Sequence, residues 1–488
     1  MNPKVGTLPA LPNYIGGERV VSSSVRRLVV TKPTTGEGIA EVPLSSAAEL
    51  DDAVARAQRA QVDWGNTGVK DRVQVLFRLK ALMEAQVDQL ARVITEENGK
   101  TLPESRGSIL RAIECLEFAS SFPQLTPGPL LEVSPGVECR SIRSPLGVTA
   151  GITPFNFPMM VPLWMAPNSI ASGNAFILKP SEQTPMSSLE LARLFEEAGL
   201  PPGIFSVVHG DREVVEAMCD HPGIAAIGFV GSTTVAKAVY SRGCGNHKRV
   251  RALGGAKNHL VVVPDADPEM TASNVIASVT GCAGQRCMAA SVLVAVGDVE
   301  PIIERIRSGM AKVVAGRDIG PMISAAARDR VYEYLDRAGE KVVLDGRRQV
   351  DAGVPAGGFF CGPSIIDHAS PDDAWSCDEI FGPVLTIVRC NNLEEAIAIE
   401  NGSPYGNAAA IYTSSGGVAE RFVQGASAGM VGVNVGVPVP REPFAFGGWN
   451  DSSFGDGDLT GESAIEFWTR SKKVTGKWTQ SGAQNWMS

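Results

Sequence analysis

The chain has 488 residues, 44% of them hydrophobic and 20% charged, with a formal net charge of −9 at pH 7. This length predicts two or three domains, and the negative charge argues against nucleic acid or an anionic membrane as a partner. Nine scattered cysteines without a CxxC pair favour a reducing, cytoplasmic setting, and five isolated histidines predict no metal site.

The first third of the chain is predicted to be largely helical. Its first thirty residues contain no long apolar segment, so no secretory signal is expected. Ser46 and Glu49 have the spacing of a capping box and predict a helix start. A longer amphipathic helix is predicted from about Asp71 to Ile94, with Gly99 just beyond its end, where glycine readily adopts the left-handed conformation.

A third helix is predicted from about Leu102 to Phe122, and it carries an arginine in its apolar stripe. Arg106 shares a face with four apolar residues, namely Ile109, Leu110, Ile113 and Leu116. Such an arginine either extends its charged end into solvent, which is the commoner case, or binds an interior anion.

The next segment predicts a hairpin followed by alternating strands and helices. The hairpin covers Leu130 to Arg143, and the strands that follow are 147–152, 175–178, 205–208 and 225–230. This alternation is typical of a parallel, doubly wound sheet, and a second set after Leu260 predicts a second α/β domain. The uncharged run from Ser144 to Leu178 is long enough for a membrane helix, but its repeated prolines indicate a buried α/β core instead.

Cys287 is the candidate nucleophile of the chain. It lies in the segment Thr280–Ala289, after two glycines and directly after Arg286. A neighbouring cation favours the thiolate, which is the reactive form of cysteine. From these residues alone, the commoner alternative is a small buried apolar side chain.

A candidate anion site lies at Gly231-Ser232-Thr233-Thr234, where a predicted strand ends and a helix begins. Backbone N–H groups at such a helix start can bind a pyrophosphate. The sequence contains neither GxGxxG nor a P-loop, so this is the nucleotide-site candidate. On its own the motif also fits an ordinary helix cap.

Five motifs in order make the chain resemble the aldehyde dehydrogenase superfamily over almost its whole length. They are Pro154-Phe155-Asn156-Phe157-Pro158, Lys179-Pro180-Ser181-Glu182, Phe229-Val230-Gly231-Ser232, Gly284-Gln285-Arg286-Cys287 and Glu379-Ile380-Phe381-Gly382-Pro383. Within the superfamily the chain most resembles the CoA-acylating methylmalonate-semialdehyde dehydrogenases. The closer resemblance rests on Ile152 to Met160, Gly255 to His259, Gln285 to Ala289 and Gly436 to Pro440.

The resemblance implies an α/β fold with three parts. A Rossmann-type NAD-binding domain would comprise residues 1–125 and 147–252, and an α/β catalytic domain residues 253–446. A small β oligomerisation arm would comprise 126–146 and 468–488, with 447–467 as a return segment. The arm implies a homodimer or homotetramer.

The resemblance also implies a role for each site residue. Cys287 would attack the aldehyde, and the Asn156 amide would stabilise the oxyanion. NAD would be bound by Thr153 and Phe155, by Lys179 and Glu182 at the adenosine ribose, by Gly231 and Ser232 at the pyrophosphate, and by Glu379 and Phe381 at the nicotinamide ribose. Arg106 and Arg286 would bind the carboxylate of malonate or methylmalonate semialdehyde.

One departure from the hydrolytic members of the superfamily predicts how the acyl group leaves. The glutamate that activates water in those enzymes aligns with Ala252 or Leu253, neither of which can accept a proton. Coenzyme A needs no such base, because part of its thiol is already thiolate near neutral pH. The expected products are acetyl-CoA or propionyl-CoA, CO₂ and NADH. The alternatives are a hydrolytic, NAD(P)-dependent aldehyde dehydrogenase and a catalytically idle relative that serves as a binding protein.

Overall fold

The computed structural model describes residues 8–477, which form two mainly parallel sheets covered by helices. The helices are α1 Ala47–Asn66, α2 Val69–Ala85, α3 Val87–Asn98, α4 Leu102–Ser120, α5 Phe122–Leu125, α6 Met160–Ala171, α7 Met186–Glu197, α8 Arg212–Asp220, α9 Thr233–Gly245, α10 Pro268–Thr280, α11 Glu300–Met310, α12 Ala325–Ala338, α13 Ala374–Cys377, α14 Leu393–Asn401, α15 Gly416–Gly425 and α16 Ser463–Trp468.

The strands of the first half are β1 Asn13–Ile15, β2 Glu18–Val20, β3 Arg27–Thr31, β4 Gly38–Pro43, β5 Leu130–Ser134, β6 Val137–Pro145, β7 Val148–Ile152, β8 Ala175–Lys179, β9 Phe205–Val207, β10 Ile224–Val230 and β11 Arg249–Leu253. Those of the second half are β12 Asn258–Val262, β13 Ala290–Val296, β14 Val342–Leu344, β15 Ser364–Ala369, β16 Val384–Cys390, β17 Tyr405–Gly406, β18 Ala408–Tyr412, β19 Met430–Val433, β20 Trp449–Asn450, β21 Ser453–Phe454 and β22 Thr469–Lys477.

The first sheet is the doubly wound sheet that the alternating pattern predicted. Its strand order is β2-β1-β9-β8-β7-β10-β11-β21, and the five strands from β7 to β11 pair in parallel. Strands β7 and β8 are buried at every position because helices cover both faces of the sheet. The uncharged run between Ser144 and Leu178 forms β7, α6 and most of β8, as the prolines indicated.

The second sheet confirms the predicted second α/β unit. Its order is β14-β15-β16-β13-β12-β18-β19, with β14 alone running antiparallel to its neighbour. A third, three-stranded sheet joins β5 and β6 of the predicted hairpin to β22. The terminal strand expected near Lys472–Thr479 overlaps β22, and its last two positions lie outside the described residues.

In the helical first third of the chain, the capping residues and the C-terminal glycine predicted helix ends correctly. The Ser46 N–H donates to Glu49 Oε2 at 2.9 Å, and Gly99 ends α3 with φ of 87°. The predicted helix from Asp71 to Ile94 is two helices, because the chain leaves helical geometry at Gln86. Among residues 8–477, no helix is both long and apolar enough to cross a membrane.

Candidate active site

The site lies where the carboxyl ends of β7, β8 and β10 meet. In doubly wound sheets, ligands bind outside this edge. A cavity of about 1640 Å³ opens there and extends to the segment before β13 that carries Cys287. The sequence-predicted residues that line it are Cys287, Asn156, Arg286, Thr153, Phe155, Lys179, Glu182, Gly231, Ser232, Glu379 and Phe381.

Cys287 is presented to the cavity by a turn of unusual backbone geometry. A short 3₁₀ turn, Gly281–Gly284, lies between α10 and Cys287, and Cys282 within this turn has φ of 54°. The Cys287 carbonyl accepts hydrogen bonds from Asn258 Nδ2 at 2.7 Å and Asn407 Nδ2 at 2.9 Å. These two amides hold the backbone at the cysteine in place.

Asn156 reaches the nucleophile segment from the other side of the cavity. It lies on the loop between β7 and α6, and its Nδ2 donates to the Gln285 carbonyl at 2.9 Å. A side-chain amide has two N–H donors, so one remains for a second acceptor. Asn156 and Cys287 are therefore brought together as the motifs predicted.

Burial, rather than the neighbouring arginine, dominates the protonation of Cys287. Burial, together with the smaller effect of the charge of Glu379, raises the pKa of its thiol to about 12. Arg286 lowers this pKa, as the sequence predicted, but its effect is smaller. Burial also raises the pKa of Glu379 to about 7. The hydrogen bond that its carboxylate accepts from the Ala256 N–H, at 3.0 Å, acts in the opposite direction and lowers this pKa.

The ends of β7 and β8 supply polar groups to the far side of the cavity. Lys179 Nζ and Glu182 Oε2 are 2.9 Å apart, and the lysine side chain is only 7% exposed. This burial excludes an ordinary surface ion pair. The Thr153 hydroxyl is buried and has no hydrogen-bond partner among residues 8–477. A buried hydroxyl without a partner indicates a place for a ligand.

The strand-to-helix turn after β10 has the geometry of an anion site. Ser232 is the N-cap of α9, and its side chain makes no capping hydrogen bond. Gly231, Ser232 and Thr234 line the cavity, so the first N–H groups of α9 and the Ser232 hydroxyl are available to an anion there. Near the cysteine, the Phe155 and Phe381 rings meet edge to face with centroids 5.9 Å apart.

Arg286 lines the cavity but is anchored by the end of α10. Its Nη2 donates to the carbonyls of Ala277 at 2.8 Å and Ser278 at 2.9 Å. Its guanidinium lies directly over Gly281, where any added Cβ would collide with it. Its buried Nε has no hydrogen-bond partner within the described range.

The expectation that Arg106 lies in the substrate cavity is wrong. Its side chain is 49% exposed and its Nε pairs with Asp88 Oδ1 at 2.7 Å. Arg106 and Leu110 lie on the solvent side of α4, while Ile109 and Ile113 are buried. Arg111, five residues along the same helix, lines the cavity instead.

Comparison with known proteins agrees with this geometry. The family model described as Aldehyde dehydrogenase family matches residues 20–474. The chain belongs to the aldehyde dehydrogenase family. It is 46% identical to malonate-semialdehyde dehydrogenase 3 of Geobacillus kaustophilus, over 96% of this chain and 99% of that protein.

Solved structures within the family share the fold closely. A Sinorhizobium meliloti 1021 protein, assigned as methylmalonate-semialdehyde dehydrogenase and complexed with NAD, matches with a TM-score of 0.95 at 42% identity, over 97% of this chain and 99% of that chain. Methylmalonate-semialdehyde dehydrogenase of Oceanimonas doudoroffii matches with a TM-score of 0.94 at 40% identity, with the same coverage.

The position of the water-activating glutamate of hydrolytic family members carries no ionisable group here. Ala252 and Leu253 end β11, are almost fully buried and do not line the cavity. Gly254 and Gly255, which follow them, do line it. Glu379 is the carboxylate whose charge acts on the Cys287 thiol.

Sequence reasoning missed Arg111 and its partners. Arg111 Nη1 lies 2.6 Å from Glu442 Oε2 and 2.8 Å from Glu114 Oε2, and its Nη2 donates to the Pro440 carbonyl at 3.2 Å. No local signal separates Arg111 from Arg106, since both lie on one amphipathic helix. The side of α4 that meets the cavity is set by residues more than 300 positions away in the chain.

Proposed function

We propose that this protein oxidises malonate or methylmalonate semialdehyde with NAD and transfers the acyl group to coenzyme A. The observation that carries the proposal is a single cavity that brings together the Cys287 thiol, the Asn156 amide and the guanidinium groups of Arg111 and Arg286. The relatives named above are called malonate-semialdehyde or methylmalonate-semialdehyde dehydrogenase, which supports the oxidation of these aldehydes.

Cys287 is the nucleophile in this proposal. Its sulfur attacks the aldehyde carbon to form a thiohemiacetal oxyanion, and the thiol proton passes to solvent in the same step. The free N–H of the Asn156 amide, with the Cys287 backbone N–H, stabilises the developing oxyanion. Such a donor is typically worth ~3–4 kcal/mol. Collapse of the oxyanion expels hydride and leaves an acyl thioester on Cys287.

The residues around the cavity fit a dinucleotide. Lys179 and Glu182 offer a buried cation and carboxylate for ribose hydroxyls, and the α9 start with Gly231 and Ser232 offers N–H groups to a pyrophosphate. Glu379 supplies a carboxylate for the second ribose, with Phe381 beside it. Thr153 and Phe155 would line the nicotinamide end. Bound NAD supplies a hydride acceptor.

Two arginines support a substrate with a second carboxylate. Arg111 is 16% exposed, and Arg286 lies next to the nucleophile in sequence. A guanidinium can bind a carboxylate through two parallel hydrogen bonds. After oxidation, the β-carboxylate lies next to a thioester carbonyl, which accepts the electrons released as CO₂ leaves. The products are acetyl-CoA or propionyl-CoA.

The preference for coenzyme A over water rests on positions 252 and 253. Water has a pKa of about 15.7 and needs a base, whereas a thiol with a pKa of about 8.5 is partly ionised near pH 7. Ala252 and Leu253 provide no base and are shielded from the cavity. Thioester exchange with coenzyme A is therefore the faster route of acyl release.

Glu379 supports one alternative, the hydrolytic reaction. Its pKa of about 7 and its electrostatic coupling to Cys287 would suit a general base for water. Binding the nicotinamide ribose would occupy the same carboxylate, which is why we favour coenzyme A.

The deciding experiment measures NADH formation with and without coenzyme A. With NAD and malonate semialdehyde alone, we expect a burst of one NADH per active site followed by slow turnover. Adding coenzyme A should restore steady turnover with ping-pong kinetics. Equal turnover in both conditions would establish the hydrolytic reaction, and no NADH in either would mean an idle relative.

We also propose that the protein is a homodimer or homotetramer. Leu130, Leu131 and Val133 on β5 are 65%, 64% and 50% exposed, which is unusual for three apolar side chains so close in sequence. Contact with a second copy would bury them. A monomer by light scattering at micromolar concentration would contradict this.

A further inference from the structure

The turn between α3 and α4 makes hydrogen bonds to the loop that carries Asn156. Asn98 ends α3, Gly99 turns the chain with φ of 87°, and Lys100 follows. We call these three residues the Asn98–Lys100 corner. Asn98 Nδ2 donates to the Phe155 carbonyl at 2.9 Å, and Lys100 Nζ donates to the Asn156 carbonyl. Two consecutive carbonyls of the loop are thus held by side chains.

The lysine of this corner is buried at an energetic cost. Lys100 is 4% exposed, and burial lowers the pKa of its ammonium. Its Nζ lies 3.6 Å from the centroid of the Phe157 ring. Cys282 and Glu104 favour the charged form, whereas Arg286 opposes it. A buried charge is expensive, so its place beside the oxyanion donor indicates a use there.

The Asn156 backbone has few other restraints. The loop from Thr153 to Met159 belongs to neither strand nor helix, and among residues 8–477 Lys100 is the hydrogen-bond donor to the Asn156 carbonyl. Gly99 is closely packed, because a Cβ built on it would lie 2.7 Å from Pro321 Cγ and 3.0 Å from Pro33 Cβ. The corner is therefore a well-packed support for a loop without regular structure.

We propose that Asn98 and Lys100 are positioning residues, which hold the Asn156 backbone so that its amide faces the carbonyl oxygen of the bound aldehyde. This rests on the proposed oxyanion role of Asn156. The contacts run from Lys100 to the Asn156 carbonyl, and from the Asn156 amide to the Gln285 carbonyl, two residues before the nucleophile. A shift of about 1 Å in such a donor can cost about a hundredfold in rate.

The test is the rate constant of the NADH burst in single turnovers without coenzyme A. Lys100→Met keeps an unbranched side chain of similar length and removes the ammonium, which is the group that lies over the Phe157 ring. We expect it to lower the burst rate constant by roughly ten- to a hundredfold, because the donor is no longer held in place. The dissociation constant of NAD should stay nearly unchanged, since Lys100 does not line the cavity.

Lys248→Met is the matched control. Lys248 is also buried, at 7% exposure, and its Nζ donates to the Ile224 carbonyl at 2.9 Å. It does not line the cavity, and it lies where β10 and β11 begin, whereas Asn156 follows the carboxyl end of β7. The Lys248→Met substitution should lower stability about as much as Lys100→Met does, and it should leave the burst rate constant unchanged.

Burst amplitude counts the folded active sites, so it separates positioning from folding. If Lys100→Met lowers only the amplitude and leaves the rate constant at the wild-type value, the corner is structural and the proposal is wrong. If Lys100→Met yields no folded enzyme, Asn98→Ala takes its place, and we expect a loss of a few-fold because the Thr184 hydroxyl also bonds the Phe155 carbonyl, at 3.3 Å. An unchanged burst rate constant in that variant would overturn the proposal.

Asn156→Ala distinguishes failure of this proposal from failure of the proposed mechanism. If Asn156 is the oxyanion donor, its loss should cost roughly a hundred- to a thousandfold, and adding Lys100→Met should cost little more. A wild-type burst in Asn156→Ala would refute the oxyanion role itself. If Asn156→Ala lowers the burst rate constant but Lys100→Met does not, only the role of the corner is refuted. The same conclusion follows if Lys100→Met lowers the burst rate constant of Asn156→Ala as much as it lowers that of the wild type.

Discussion

Replacing Arg111 by Leu should remove recognition of the substrate carboxylate. Helix α4 carries two arginines, and of these Arg111 lines the cavity. Its side chain is 16% exposed. Losing one charge-assisted pair of hydrogen bonds costs ~1.5–3 kcal/mol, which is roughly ten- to a hundredfold in kcat/KM. Propanal lacks the second carboxylate, so its kcat/KM should change far less.

The same substitution also disturbs an ion pair inside the protein. Glu442 is only 9% exposed and lies 2.6 Å from Arg111, so leucine leaves a nearly buried carboxylate without its partner. Stability should therefore fall as well. Normalising each rate to the burst amplitude removes this effect, and the ratio of the two aldehydes cancels any general damage to the site.

Arg106→Leu is the matched control on the same helix. Its partner Asp88 is 63% exposed, and a surface pair of this kind is worth about 0–1 kcal/mol. We expect nearly wild-type kinetics on both aldehydes. Equal losses on semialdehyde and propanal in Arg111→Leu, or a larger semialdehyde defect in Arg106→Leu, would refute the assignment of Arg111.

Four further predictions concern Cys287 and the residues that act on it or on Arg286. Cys287→Ala should abolish NADH formation while NAD binding, measured by calorimetry, stays within about threefold of wild type, and even a tenth of wild-type turnover would exclude Cys287. Because the pKa of the Cys287 thiol is raised to about 12, its alkylation by iodoacetamide should still accelerate above pH 9 in the free enzyme, and a plateau near pH 8.5 would contradict this. Glu379→Gln should speed that alkylation, since it removes a charge that disfavours the thiolate. Gly281→Ala should displace the Arg286 guanidinium, and it should raise KM for the semialdehyde but not for propanal.

The sequence by itself determined the elements and the main residues of the cavity. Alternation of short apolar strands with helices depends on local periodicity, so it predicted that β7 to β10 belong to one parallel sheet. The capping pair Ser46 and Glu49 and the left-handed Gly99 act over a few residues, and both were confirmed. The family resemblance that the five motifs carry implied that Cys287 and Asn156 share one site.

Tertiary structure decided what depends on distant parts of the chain. Arg106 and Arg111 differ only in which side of α4 faces the cavity, and that side is fixed by packing against residues 440 to 442. The protonation of Cys287 depends on burial, which a neighbouring arginine in the sequence does not reveal. The hydrogen bond from Lys100 to the Asn156 carbonyl joins residues 56 positions apart, so only the folded chain brings the ammonium to the proposed oxyanion donor.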